Sequence, residues 1–238
     1  MKSLLPRRAI SCCSCAALSS TTNLDAKVSQ NEIGRVYDKL SGIYDVWGKL
    51  TESRARDRAI ELAAIEDGKD ILEVAVGTGL AFYEIVKRNP HGHNLGIDLS
   101  AGMLEKAKNR MRQLPGAKYA LAVGTAFDLP SPTESVDLLV NNYMFDLISC
   151  ADMDRVLAEF RRVLKKGGKL ILVNMTIGAT LGSNLYDRIY RVSPKIMGGC
   201  RGVELTDRLR EHGFAVEVRE YHQQMLFPSE VILARKRA

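Results

Sequence analysis

Ile71-Leu72-Glu73-Val74-Ala75-Val76-Gly77-Thr78-Gly79-Leu80 is the stretch that decides the fold. It reads as a buried strand, a tight glycine turn and the start of a helix. A second apolar run, Asn94 to Leu99, carries Asp98, 25 residues after Glu73. A glycine turn after the first strand, with an acid ending the second, is how a doubly wound sheet holds a ribose-bearing nucleotide. Gly77 and Gly79 allow the backbone to turn sharply and approach a ligand. The helix starting near Leu80 points free N–H groups at it. Asp98 can accept the protons of both ribose hydroxyls. The dinucleotide pattern G-x-G-x-x-G would place a third glycine at position 82, where Phe82 stands.

Working outward, strand and helix patterns alternate. The sequence predicts a helix over Arg54 to Ile65 ended by Gly68, a strand over Ile71–Val76, and a helix over Leu80 to Arg88 that stops before Asn89-Pro90. A strand over Asn94–Leu99 leads to a helix, Ala101 to Met111, capped by Ser100. Further strands are expected at Lys118–Val123, Val136–Val140 and Lys169–Asn174. Asp152 to Lys165 is an amphipathic helix on Met153, Val156, Leu157, Phe160 and Leu164, stopped by Gly167-Gly168. Val203 to His212 reads as a helix. Phe214–Tyr221 and Gln224–Ala234 read as closing strands, the second as an antiparallel edge with Pro228 at an edge or bulge position. This is an α/β fold, a single doubly wound, mostly parallel sheet with an antiparallel edge strand.

Three segments in combination, Glu73–Gly79, then Gly96-Ile97-Asp98-Leu99-Ser100 with Met103, then Leu164-Lys165-Lys166-Gly167-Gly168-Lys169-Leu170, resemble a class I S-adenosylmethionine-dependent methyltransferase. The resemblance is to the type-11 and ubiquinone/menaquinone-biosynthesis branch, and it covers about Val36 to Thr176. It implies a Rossmann-like sheet with S-adenosyl-L-methionine as cofactor. It further implies that Glu73 faces the methionine amino group, that Ala75, Gly77 and Gly79 form the turn, and that Asp98 takes the ribose beside Leu99. Met103 would pack on the adenine, or serve as an ordinary core methionine. The family usually has Gly-Asp-Ala after the third strand. Here Gly124-Thr125-Ala126 stands, so Thr125 and the backbone of Ala126 are the candidates for the adenine edge. Tyr37 resembles the lid tyrosines that close over the cofactor; the plain alternative is a surface helix.

Asn141, at the end of the fourth strand, is a candidate at the boundary of donor and acceptor, with Asn142 and Tyr143 beside it. Asp146 falls where many relatives have a histidine, and His222 lies near a strand end. Both are candidates to take a proton from the acceptor, against the simpler roles of a turn cap and a structural histidine. Residues 175–202 interrupt the alternation and are expected to cover the acceptor pocket. Leu185, Ile189 and Val192 at helical spacing, beside Arg188, Arg191 and Lys195, suit either a peripheral membrane contact or a solvated helix face.

The chain has 238 residues, 34 lysines and arginines against 28 acids, and a net charge of +6. That charge favours anionic partners, but 6% aromatics and the absence of a recognised module argue against nucleic acid. No apolar run reaches the roughly 18 residues of a membrane-spanning helix. The five cysteines, three of them at Cys12, Cys13 and Cys15, form neither a disulfide framework nor a metal-ligand set. Residues 1–24 contain no acid and are basic and serine-rich, the composition of an organelle transit peptide; the rivals are a secretory signal with a short apolar core over Ala9 to Leu18, diluted by Ser11 and Ser14, and a disordered tail. The expected organisation is a leader or tail over 1–26 and one methyltransferase domain over 27–238, mitochondrial or, without targeting, cytoplasmic. The expected activity is methyl transfer to a small, apolar or lipid-like acceptor by direct in-line displacement. The rival is a nucleotide-dependent oxidoreductase on the same sheet.

Overall fold

A computed structural model describes residues 53–176, 202–224 and 227–238. Tyr37, the 1–26 leader and most of the 175–202 segment lie outside the described residues. The described chain runs α1 (Ser53–Ala63), β1 (Asp70–Val74), α2 (Leu80–Arg88), β2 (His93–Asp98), α3 (Ala101–Met111), β3 (Tyr119–Val123), β4 (Val136–Asn142), α4 (Cys150–Val163), β5 (Leu164–Met175), α5 (Thr206–Glu211), β6 (Phe214–Gln224) and β7 (Phe227–Lys236). The seven strands form one sheet in the order β3-β2-β1-β4-β5-β7-β6. β1 to β5 pair in parallel, and β7 is antiparallel to both of its neighbours.

Both faces of the sheet are covered, which is why its strands read as near-continuous apolar runs. On one face α4 buries Met153, Val156, Leu157 and Phe160 against Leu72, Leu139, Leu170 and Ile232. On the other, α1 buries Ala55, Ala59, Ile60 and Ala63 against Ile71, Leu138, Ile171 and Val231. On the β1–β3 half, Phe82 and Val86 of α2 meet Ala107 and Met111 of α3. Alternation along β4 sends Leu139 and Asn141 to the first face and Leu138, Val140 and Asn142 to the second.

Several boundaries differ from those the sequence predicts, each for a tertiary reason. α1 ends at Ala63, with Ala64 left-handed at φ 43°, so Gly68 serves the turn into β1 and not the helix end. α4 ends before the glycines: Leu164 is fully buried, extended and paired with Val136, and that pairing outweighs its helical propensity. Val203 to Leu205 is not helical; Val203 donates its N–H to Met175 O at 2.9 Å, and both apolar side chains enter the core. β7 is not the edge. It lies between β5 and β6, and β6 forms the antiparallel edge.

Candidate cofactor and acceptor site

The sheet reverses direction of growth between β1 and β4, and ligands bind at the carboxyl ends of the strands at such a point. β1 ends at Val74. Ala75 follows at φ 61°, Gly77 at φ 57° and Gly79 at φ 80°, so three residues of the turn are left-handed. Gly79 N–H donates to Val76 O at 3.0 Å, closing the turn. A Cβ on Gly79 would lie 2.9 Å from the Ala107 Cβ, so this glycine lets α3 pack close. At Gly77 a Cβ would meet nothing within 4 Å; there the backbone faces open space and the conformation alone requires glycine.

Asp98, at the end of β2, is tied to both neighbouring turns. Its Oδ2 accepts the Gly77 N–H at 2.7 Å and its Oδ1 the Ser100 N–H at 2.9 Å. Ser100 accepts the Met103 N–H at 3.0 Å, capping α3. Met103 is buried at the wall of a cavity at the carboxyl ends of β1, β2 and β4. Ile97, Asp98, Leu99, Thr125, Ala126 and Ile148 also line it, so it is apolar with one carboxylate at its rim. Leu99 is 48% exposed at this cavity. Thr125 Oγ1 accepts the Phe127 N–H at 3.3 Å.

A second, smaller cavity adjoins the first through Ala75, Gly77, Asn142 and Tyr143, which line both. Glu73 and Arg56 line only the smaller one. Glu73 is 1% exposed. Its Oε1 accepts the Asn142 amide at 3.3 Å, and its Oε2 is buried without a hydrogen-bond partner. Burial pushes its carboxyl well above the ordinary carboxylate range, against the pull of the Asn142 bond; Asp98 adds to the rise and Arg56 opposes it. Tyr143 holds a left-handed backbone at φ 52°, unusual for so bulky a residue. Its N–H bonds to Val173 O at 2.7 Å, and its hydroxyl lies 2.9 Å from Ser229 Oγ. Two strained non-glycine residues, Ala75 and Tyr143, thus stand where the two cavities meet.

Glu73, Ala75, Gly77, Asp98, Leu99, Met103, Thr125 and Ala126 are brought together around these cavities. Gly79 stands one step behind them. Asn141 does not reach the cavities: it is fully buried and donates its amide to Val74 O at 2.8 Å, tying β4 to β1. Asn142, on the opposite face, lines both. Asp146 is fully enclosed and lines neither cavity. His222 is on edge strand β6, three strands from β4 and therefore about 14 Å away at the usual strand spacing. Its Nε2 lies 3.2 Å from Glu220, which Arg58 of α1 clamps through two 2.8 Å bonds. Neither Asp146 nor His222 lines either cavity. Arg56 is the residue that sequence reasoning missed; its one signal is its place beside the Ala55–Ala59–Ile60 stripe of α1.

Fold, glycine turn and acid-terminated second strand together define a Rossmann-like α/β domain with a ligand site at the switch point of its sheet. Residues 71–168 match the family model described as a methyltransferase domain. A demethylmenaquinone methyltransferase from Thermotoga maritima is 30% identical over 145 residues, 59% of this chain and 60% of that protein. The match thus spans about three-fifths of that relative's length. Among solved structures, the cyclase SpnF superposes with a TM-score of 0.73 at 18% identity, over 90% of this chain and 98% of that one. A SAM-dependent methyltransferase from Methanosarcina mazei gives 0.59 at 20% identity, over 73% and 94%. These two likenesses establish the fold. That one of them is a cyclase shows that the sheet alone does not dictate the chemistry.

Proposed function

We propose that this protein transfers the methyl group of S-adenosyl-L-methionine to a small, apolar, quinol- or lipid-like acceptor. The observation that carries the reading is the pairing of the two cavities. An apolar chamber with Asp98 at its rim suits an adenosine. The adjoining polar chamber, with the unpartnered Glu73 Oε2, suits an amino-acid group. The cofactor supplies an activated methyl on a cationic sulfur. The chain's residues bind, orient and exclude water. Asp98 and Met103 fix the nucleoside, and Glu73 with Asn142 fixes the ammonium. Bound there, the cofactor would give up its methyl by direct in-line displacement, the carbon–sulfur bond breaking as the bond to the acceptor forms and S-adenosylhomocysteine leaving. The acceptor's proton passes to solvent or to a base on the acceptor side. Alignment of this kind can supply about 7–11 kcal/mol of barrier lowering.

Support for an apolar acceptor comes from Met144, Leu147 and Ile148 on the β4 side of the larger cavity, and from the quinone methylation named for the Thermotoga relative. In this reading Tyr37 and residues 175–202 close the site, and the +6 charge favours peripheral contact with an anionic membrane. Residues 1–26 then act as a mitochondrial leader. The test incubates the purified protein with methyl-labelled S-adenosylmethionine and a cell extract, and partitions the label. Label in the organic phase is expected, with Asp98→Ala transferring none at the same concentration. Label confined to the aqueous phase overturns the apolar acceptor, and no transfer at all overturns the activity.

A further inference from the structure

The two edges of the sheet are built differently. β6, at one edge, carries Glu217, Arg219, Glu220 and His222, and its register breaks between Val216 and Val218. Charges and bulges are the usual guards against a further strand. β3, at the other edge, is Tyr119-Ala120-Leu121-Ala122-Val123, with no charge, proline or register break. Tyr119 is 36% exposed and Val123 64%. An unguarded apolar edge of this kind is a template for another strand.

The backbone bonds show which groups are left over. Lys118 N–H donates to Pro90 O at 3.2 Å, and Lys118 O accepts from the Asn94 side-chain amide at 2.8 Å. At the other end Gly124 N–H donates to Asp98 O at 3.0 Å. Alternate residues of a strand bond to opposite sides, so Ala120 and Ala122 turn with Lys118 and Gly124 toward β2. Tyr119, Leu121 and Val123 turn their N–H and C=O groups outward, and among the described residues no strand meets them. The side chains of these three share one face of the sheet. Leu121 packs there on the cluster of Phe82, Ala107 and Met111, and Tyr119 meets Phe82 edge-on at 6.3 Å.

We propose that β3 pairs antiparallel with β3 of a second copy of this chain, about a two-fold axis through Leu121. That register sets Leu121 against Leu121, Tyr119 against Val123 and Ala120 against Ala122. The outward residues then form the hydrogen-bonded pairs, each exchanging two bonds. The exposed apolar side chains of one copy cover those of the other, an aromatic against a β-branched residue, which is a favourable cross-strand pair. The strand can serve as its own partner because its sequence is nearly symmetric about Leu121, and an isologous contact of this kind closes at two copies. The undescribed stretches of the chain join the described residues elsewhere. Ser53 and Arg54 meet Gln224 of β6, Thr176 N–H donates to Pro228 O, and Val203 N–H donates to Met175 O. These joints lie on β5, β7 and β6, at least four strand spacings from β3, about 19 Å. A second copy is therefore the occupant that the fold favours. Five residues make a small contact, so the dimer is reversible and concentration-dependent.

Sedimentation velocity of the full chain over a series of concentrations reads the assembly, and backbone amide exchange reads the edge. A monomer–dimer shift is expected as concentration rises, with the Tyr119, Leu121 and Val123 amides slowing about tenfold where about nine-tenths of the chain is dimeric. Tyr119→Lys with Val123→Lys sets like charges directly opposite at both ends of the pair, and is expected to weaken the dimer about tenfold or more. Tyr119→Lys with Val123→Glu sets opposite charges there and should recover most of that loss. The two double variants share the lost contact with Phe82, so the difference between them reads the pairing and not the fold. A wild type that stays monomeric at every concentration overturns the proposal, and edge amides protected regardless of concentration would mean that the chain's own residues cover β3. A dimer that both double variants leave intact would place the contact on another surface, and equal weakening by both would exclude the register centred on Leu121; either result also overturns the proposal.

Discussion

Glu73 is a carboxyl placed where water cannot reach it, with one oxygen left over. Its raised pKa makes it a stability probe. Between the ordinary glutamate pKa and its own, the folded chain holds a proton that the unfolded chain has released. Unfolding therefore releases a proton, and stability falls as pH rises through that window, by about 1.4 kcal/mol per pH unit at most. Glu73→Gln keeps an oxygen for Asn142 and has nothing to titrate. The stability of wild type minus that of Glu73→Gln, from urea unfolding without ligand, is expected to decline as pH rises above the ordinary glutamate pKa. A flat difference would show that Glu73 is already ionised in the empty site. Of the residues in this site, Glu73, Gly77 and Asp98 were readable from sequence because the strand–turn–helix and the strand end that hold them are local structures. Asn142 was obscured by Asn141: at a strand end, one residue decides which face a side chain enters. Arg56 was unreadable because only tertiary packing brings α1 over the end of β1.

At the scale of elements, the two glycines of the turn do different work, though the motif gives them equal standing. Gly77 is needed for its backbone angle alone, whereas Gly79 also sets how closely α2 and α3 pack. Gly77→Ala is expected to cost only the left-handed penalty, about 1–2 kcal/mol. Gly79→Ala adds a Cβ 2.9 Å from that of Ala107, a backbone-anchored atom that cannot swing away. Overpacking of this kind adds about 1–3 kcal/mol. Chemical denaturation of the two variants should therefore rank Gly79→Ala clearly below Gly77→Ala, and equal midpoints would contradict the close α2–α3 contact. The existence and order of the elements followed from periodicity. Their ends did not, where long-range pairing decides. Leu164 left α4 because Val136 offered a strand partner, and Val203 left the predicted helix because Met175 O accepted its N–H. The edge position of β6 was hidden for the same reason: strand order is a property of the whole sheet.

Across the whole molecule, the site gathers residues that the unfolded chain scatters. Arg56 comes from α1, Glu73 from β1, Asp98 from β2, Thr125 from the β3 loop and Asn142 from β4. Helices on both faces of the sheet depend on those strands, so a ligand that touches all of them recognises the native chain and nothing less. Such a ligand stabilises by mass action, about 2.7 kcal/mol at a free concentration of 100 times its Kd. For a domain of this size each kcal/mol moves Tm by about 2–4 °C. S-adenosylhomocysteine at that excess is therefore expected to raise Tm by about 5–11 °C. A nicotinamide dinucleotide at the same concentration should leave Tm unchanged. The close helix–strand approach of a dinucleotide turn needs the third glycine, and its place is taken by Phe82, fully buried and in edge contact with Tyr119 at 6.3 Å. A thermal shift with the dinucleotide and none with S-adenosylhomocysteine would reverse the assignment and make the sheet that of an oxidoreductase.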